Sequence, residues 1–216
     1  MSSPQNPVAE RTDTGERPDL APRLAVAVDF DPAVWMAGPT DDDAERWTAG
    51  ALSAVCADFA LADGSAEQGL LREVLHAFAT AHLGCDFRFL RLRSLADVPI
   101  VAMLHVRTAA PHVVDQPEQG TAVLTAYEPG TRWYDAEPEV VAVDEESGLR
   151  RAVRYAVGDD GRLSSVIRYH RRVPELAADV VLSSAGADLR TTAITLADLD
   201  DLARAVRLVD AEGRRW

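Results

Sequence analysis

The chain has 216 residues, with 35 acidic against 22 basic side chains, a net charge of −13 and a pI near 4.7. That balance argues against generic affinity for nucleic acid or anionic membranes. Every basic residue is arginine, and without a lysine amine Schiff-base chemistry, pyridoxal phosphate anchoring and Walker-A phosphate binding are excluded.

The missing lysine accompanies one Asn, three Ile and 36 Ala, a bias that GC-rich codons explain without selection on function. Its consequence holds regardless of cause: each fixed positive charge is a planar guanidinium suited to carboxylates and phosphates. Two cysteines, Cys56 and Cys85, are too few for a disulfide scaffold and read as reduced, partly buried thiols. No apolar run reaches the length of a membrane span, and the first residues lack a signal pattern. The expectation is a cytoplasmic protein with no membrane partner.

Residues 1–22 carry four prolines among polar side chains and read as a disordered tail. One domain over 23–209 follows, with a short tail at 210–216, since neither repeat nor linker interrupts it. Alternation over 23–30 predicts a first strand. Three helices are announced by hydroxyl N-caps at Thr40, Ser65 and Thr195, each three residues before Asp or Gln. Trp47, Leu52, Val55 and Phe59 form the stripe of the first. Leu71, Val74, Leu75, Phe78 and His82 form that of the second, which Gly84 ends. Leu196, Leu199, Ala203 and Val206 form that of the third. Strands are predicted at 87–92 and 100–106, the second central because both its faces are apolar. Prolines break 109–138, where a short strand over 122–127 is expected. Further strands are predicted at 139–143, 149–157, 162–172 and 179–182. The fold class is therefore α+β: a mostly antiparallel sheet flanked by two N-terminal helices and one C-terminal helix.

Asp159-Asp160-Gly161 suits a three-residue hairpin loop. It sets Val157 opposite Leu163, Val153 opposite Ile167 and Arg151 opposite Tyr169, a register that burial selects because a slip of one residue mixes the faces. One face then gathers Val153, Tyr155, Val157, Leu163, Ile167 and Tyr169. The other gathers Arg150, Arg154, Arg168, His170 and Arg172. Residues 150–172 hold seven Arg against two Asp, the one basic stretch of an acidic chain. This face is the first candidate for binding an acidic partner. The simpler reading is a solvated face neutralised by the acidic side chains between Asp135 and Glu146 on the strand beside it. Trp35 and Met36, in a loop after Asp31-Pro32, and Tyr127, Trp133 and Tyr134, in the proline-rich region, are a possible aromatic patch, or else close the ends of the core.

No catalytic residue is assigned. His82 and Cys85 form an H-x-x-C pair with no second pair, so no metal and no cofactor is expected. Asp41-Asp42-Asp43 fits the start of a helix better than a cation site. Ser183 and Ser184 lack the flanking glycines of a nucleophile elbow.

The order of strand, two helices, antiparallel strands and C-terminal helix resembles the PsbP-like α/β/α sandwich, chiefly through the 149–172 hairpin, the 179–182 strand and the 195–208 helix. With its Val28-Asp29-Phe30-Asp31-Pro32 opening, the chain is also similar to small proteins of high-GC actinobacteria. The resemblance implies a non-catalytic binding or assembly factor and transfers no functional residue. The expected function is thus a non-enzymatic adaptor that binds another protein. Two alternatives stay open: a ligand-binding protein or enzyme with a pocket at Tyr155, Arg168, Tyr169 and His170, and a homo-oligomer joined through a strand edge.

Overall fold

The computed structural model describes residues 25–39, 43–108, 117–125, 131–134, 137–210 and 212–216. The predicted tail at 1–22, the Thr40 cap and Tyr127 lie outside them. No helix among the described residues is long and apolar enough to cross a membrane.

β1 (Ala25–Val28) stands apart from the main sheet. β2 (Trp35–Ala37) forms where the sequence reading expects a loop. Trp35 is buried, and its indole N–H donates to the Asp198 carbonyl at 3.3 Å. α1 (Ala44–Asp58) is capped by Asp43, whose carboxylate accepts from the Arg46 amide. α2 (Ala66–Thr80) starts at Ser65 as predicted, its hydroxyl accepting from the Gln68 amide at 3.1 Å. The Gln68 side chain closes the box one residue early, accepting from the Gly64 N–H at 2.8 Å.

β3 (Phe87–Arg91) and β4 (Ile100–Thr108) follow the predicted strands. The strand expected over 122–127 is instead the end of a helix, α3 (Pro117–Thr125). Alternating Thr121, Val123 and Thr125 imitate a strand. The proline in the first turn and the buried Leu124 fit a helix lying on the sheet. The described residues therefore hold one helix more than the sequence predicts.

β5 (Val140–Asp144), β6 (Leu149–Val157) and β7 (Leu163–Val173) form a meander. The β6–β7 register is the one burial selects: Val157 faces Leu163, Val153 faces Ile167 and Arg151 faces Tyr169. The Gly158 N–H bonds the Arg162 carbonyl at 2.8 Å, and Gly161 takes φ 77° in the loop. β8 (Ala178–Ala187) runs well past the predicted 179–182. Its small polar Ser183 and Ser184 read as loop, yet β4 and β7 hold them in the ladder from both sides. α4 (Leu189–Ala205) starts six residues before the expected Thr195 cap. Asp188 caps it by accepting from the Thr191 amide at 2.7 Å. Thr192 and Thr195 are turned inward, their hydroxyls bonding the Asp188 and Thr191 carbonyls. Val206 then goes extended and opens β9 (Val206–Val209), which pairs with β1. Residues 212–216 hook back, and Trp216 exchanges backbone bonds with Leu208.

The main sheet runs β2-β3-β4-β8-β7-β6-β5, every pairing antiparallel. On one face lie α4 and the β1–β9 ribbon, closing a core of Phe89, Leu104, Ile167, Leu182, Leu199 and Leu208. On the other, the α1–α2 hairpin closes a second core of Leu52, Val55, Leu75, Phe78 and Leu90, and α3 covers β6 and β7. The α+β class with a mostly antiparallel sheet is what the sequence predicts.

Candidate functional site

The sheet alternation sends the arginines of the hairpin to two different layers. On the α4 side, Arg151 donates to both oxygens of Asp200 at 2.6 Å, and the Tyr169 hydroxyl donates to the same carboxylate at 2.7 Å. Arg171 is buried there, donating to the Val206 carbonyl at 3.0 Å and to the Trp216 backbone oxygen at 3.4 Å. Burial, with Arg207 nearby, holds its pKa below the usual arginine value. Two residues before Asp200 on α4, Asp198 receives Arg91 at 2.7 Å and Arg93 at 2.9 Å. Two residues apart on a helix turn the side chains by roughly 200°, so Asp198 and Asp200 grip the sheet on either side of the buried Leu199–Leu202 ridge.

On the opposite face the expected basic surface is largely covered. Arg154 is 2% exposed, lies 4.0 Å under the Trp133 ring and donates to the Thr125 carbonyl at 3.2 Å. His170 is buried, bonded to Asp179 at 2.9 Å, with α3 above it. A Cβ on Gly120 would come within 2.9 Å of its imidazole, so the ring lies against bare helix backbone. Arg172 bonds the other oxygen of Asp179 at 2.9 Å. Arg150 is exposed and Arg168 half-buried. Among the described residues, carboxylate partners of Arg151, His170 and Arg172 come from β8 and α4. β5 does lie beside the hairpin as expected, but Asp144 is engaged with Ser147.

The other candidates separate. Trp35 is core at the β2 edge, Trp133 covers Arg154 beside β6, and Tyr134 stands 71% exposed. They form no single patch. Tyr155 and Tyr169 share one face of the hairpin while Arg168 and His170 occupy the other, so those four do not converge on a pocket. Among the described residues no group of three or more His, Cys, Asp or Glu is gathered as a metal would need. His82, Cys85 and Asp86 line a polar cleft of about 430 Å³. Burial pushes the Cys85 thiol up, and the Arg88 guanidinium is spent on the Ala79 and Ala81 carbonyls that end α2.

Replacing Trp133 by alanine should uncover Arg154 and cost about 2–3 kcal/mol in urea unfolding. The Trp133 indole N–H is buried with no hydrogen-bond partner among the described residues. Phenylalanine keeps a ring over the guanidinium and removes that orphan donor, so it should cost less than about 1 kcal/mol. Equal losses in the two variants would show that the ring does not stabilise Arg154.

Two further concavities of mixed lining lie along α1. One, of about 580 Å³, is lined by Phe30, Trp35, Met36, Trp47, Ala51 and Ala54 among others. The next, of about 590 Å³, is lined by Val34, Met36, Val55, Phe59 and Leu92, with Asp31 and Asp58. Met36 belongs to both, so they make one groove between α1 and the β2 edge. Trp47, Ala51, Ala54 and Asp58 fall at spacings of three and four, one flank of the helix beside its packed face. Gly50 adds open space at mid-groove. The site is hidden in the sequence because Trp35 and Met36 follow Asp31-Pro32 and show no strand alternation. The run of small residues beside the Trp47–Phe59 stripe is the available signal.

Both outer strands are shielded against pairing. The Trp35 N–H is bonded to the Asp31 carbonyl, and the Ala37 carbonyl accepts from the Trp47 indole at 2.9 Å. β5 carries an irregularity at Ala142/Asp144, and Arg204 bonds its Val143 carbonyl.

The fold is thus that of an α+β protein with helices on both sides of an antiparallel sheet. No family model and no curated protein sequence matches the chain. Solved structures similar to it include the following two. One is LpqN of Mycobacterium tuberculosis, described as involved in cell envelope biogenesis, with a TM-score of 0.46 and 12% identity over 90% of this chain and 87% of that one. The other is a point mutant of the protein Mog1, with a TM-score of 0.41 and 13% identity over 63% of this chain and 86% of that one. At such values no activity or partner passes from either to this chain.

Proposed function

We propose that this protein is a non-enzymatic cytoplasmic binding module that holds a segment of another protein in the groove between α1 and β2. The observation that carries the reading is the groove itself: two concavities of about 580 and 590 Å³ sharing Met36, with aromatic ends and small residues between them. Such shape and lining suit apolar side chains in contact and offer no paired acid and base. The carboxylates Asp198 and Asp200 bond arginine and tyrosine across layers, and Asp179 bonds His170 and Arg172 on the neighbouring strand. That use fits cohesion better than proton transfer. The PsbP-like resemblance of the element order, with its mostly non-catalytic members, supports the same reading. The hairpin is the weaker site, because Arg154 and His170 lie under Trp133 and α3.

Ala54→Arg is the direct test. The site is exposed and helical, so the variant should melt like the wild type, while the guanidinium fills mid-groove. Proteins captured from lysate by the wild type should be depleted at least about tenfold on Ala54→Arg and retained on Arg150→Glu. The opposite pattern would move the site to the hairpin and sink the groove.

A further inference from the structure

The two ends of the groove differ in charge, and the difference defines what fits. At the Trp47 end, Arg46 is matched by Asp43 at 3.3 Å. At the Phe59 end, Arg93 is held by Asp198, whereas Asp31 and Asp58 make no ion pair among the described residues. Asp58 also closes α1, whose last turn carries no basic residue. A carboxylate there adds to the negative end of the helix dipole instead of offsetting it. The Phe59 end is therefore lined by Val34, Val55, Phe59 and Leu92, and its rim sets two carboxylates, Asp31 and Asp58, against one guanidinium, that of Arg93, which shares Asp198 with Arg91. A side chain with an aliphatic stem and a cationic head matches it. Along α1, Trp47 and Phe59 are about 18 Å apart at 1.5 Å per residue. An extended peptide covers that span in about five or six residues at 3.3 Å each.

We infer that the groove takes an extended segment of another protein with an apolar anchor at the Trp47 end and an arginine or lysine about five residues away, against Asp31 and Asp58. The inference rests on the groove reading above and adds polarity and charge to it. Gly50, Ala51 and Ala54 leave the middle of the groove open to side chains of the segment.

The test is selection from a library of random octapeptides displayed on beads against the full chain. Peptides enriched on the wild type should pair an apolar residue with Arg or Lys at that spacing. Their binding should weaken with added salt and fall about fivefold for Asp31→Asn or for Asp58→Asn. In the first of these variants the asparagine carbonyl can still accept from the Ala33 amide, as the Asp31 carboxylate does, so the loop is kept. Asp58→Arg should turn the preference toward acidic peptides. If enriched peptides are lost on Ala54→Arg but carry no basic residue and ignore Asp31→Asn and Asp58→Asn, the charge inference fails and the groove stands. If nothing is enriched, or enrichment ignores Ala54→Arg, the groove reading fails with it.

Discussion

Asp198→Ala should destabilise the protein by about 3–4 kcal/mol, read as a lowered urea midpoint with an unchanged slope. Arg91 is 3% exposed and its guanidinium bonds Asp198 at 2.7 Å. Removing the carboxylate leaves a buried charge without its counter-ion. Guanidinium does not escape by losing its proton, as a buried lysine can. Replacing both members, as Arg91→Met with Asp198→Leu, should recover more than half of the loss, because the desolvation cost of the pair is removed with it. A double variant as unstable as the single one would show that the loss arises elsewhere, for instance in the Trp35 indole bond to the Asp198 carbonyl.

The second large effect lies in alkali. Burial, then the hydrogen bond to Asp200, pushes the Tyr169 hydroxyl well above the usual tyrosine range. A group whose folded pKa is raised holds its proton more firmly in the native state, so its stabilisation is complete below the unfolded value. That contribution is lost as pH rises above about 10, at about 1.4 kcal/mol per unit for one tyrosine. Because the chain has no lysine, no ammonium side chain titrates across this window. Tyr169→Phe should be about 1.5–2 kcal/mol less stable than the wild type at pH 8, having lost a bond to a charged acceptor. The gap should close by about pH 11.5 as the wild type alone declines. Urea unfolding of both proteins from pH 8 to about 11.5 decides the matter, and parallel curves would sink it.

These effects share a cause that the sequence does not disclose. Arg91 and Asp198 are 107 residues apart and Arg151 and Asp200 are 49 apart. No local pattern names such partners. The hairpin register is legible because Asp159-Asp160-Gly161 fixes the loop and a slip of one residue would bury charge. Whether Arg154 faces water is not, since its cover arrives from Trp133, Thr125 and α3, a helix whose alternating Thr and Val imitate a strand. Likewise the threonines inside α4 suggest a late start, while Asp188 has already capped it.

The groove shows the same division. The Trp47–Phe59 stripe and the small residues beside it are in the sequence, and a helix there is expected. That a three-residue strand at Trp35–Ala37 stands alongside is a property of the sheet edge, where β3 supplies the pairing. By itself the sequence determined the α+β class, the central strands, the hairpin register and the exclusion of lysine chemistry, because periodicity, turn residues and composition are local. The tertiary structure decided which arginines are buried, which carboxylates hold them and where a concave surface opens. Those outcomes depend on long-range packing, in which a buried charge or an exposed apolar wall is settled by whichever layer comes to lie against it.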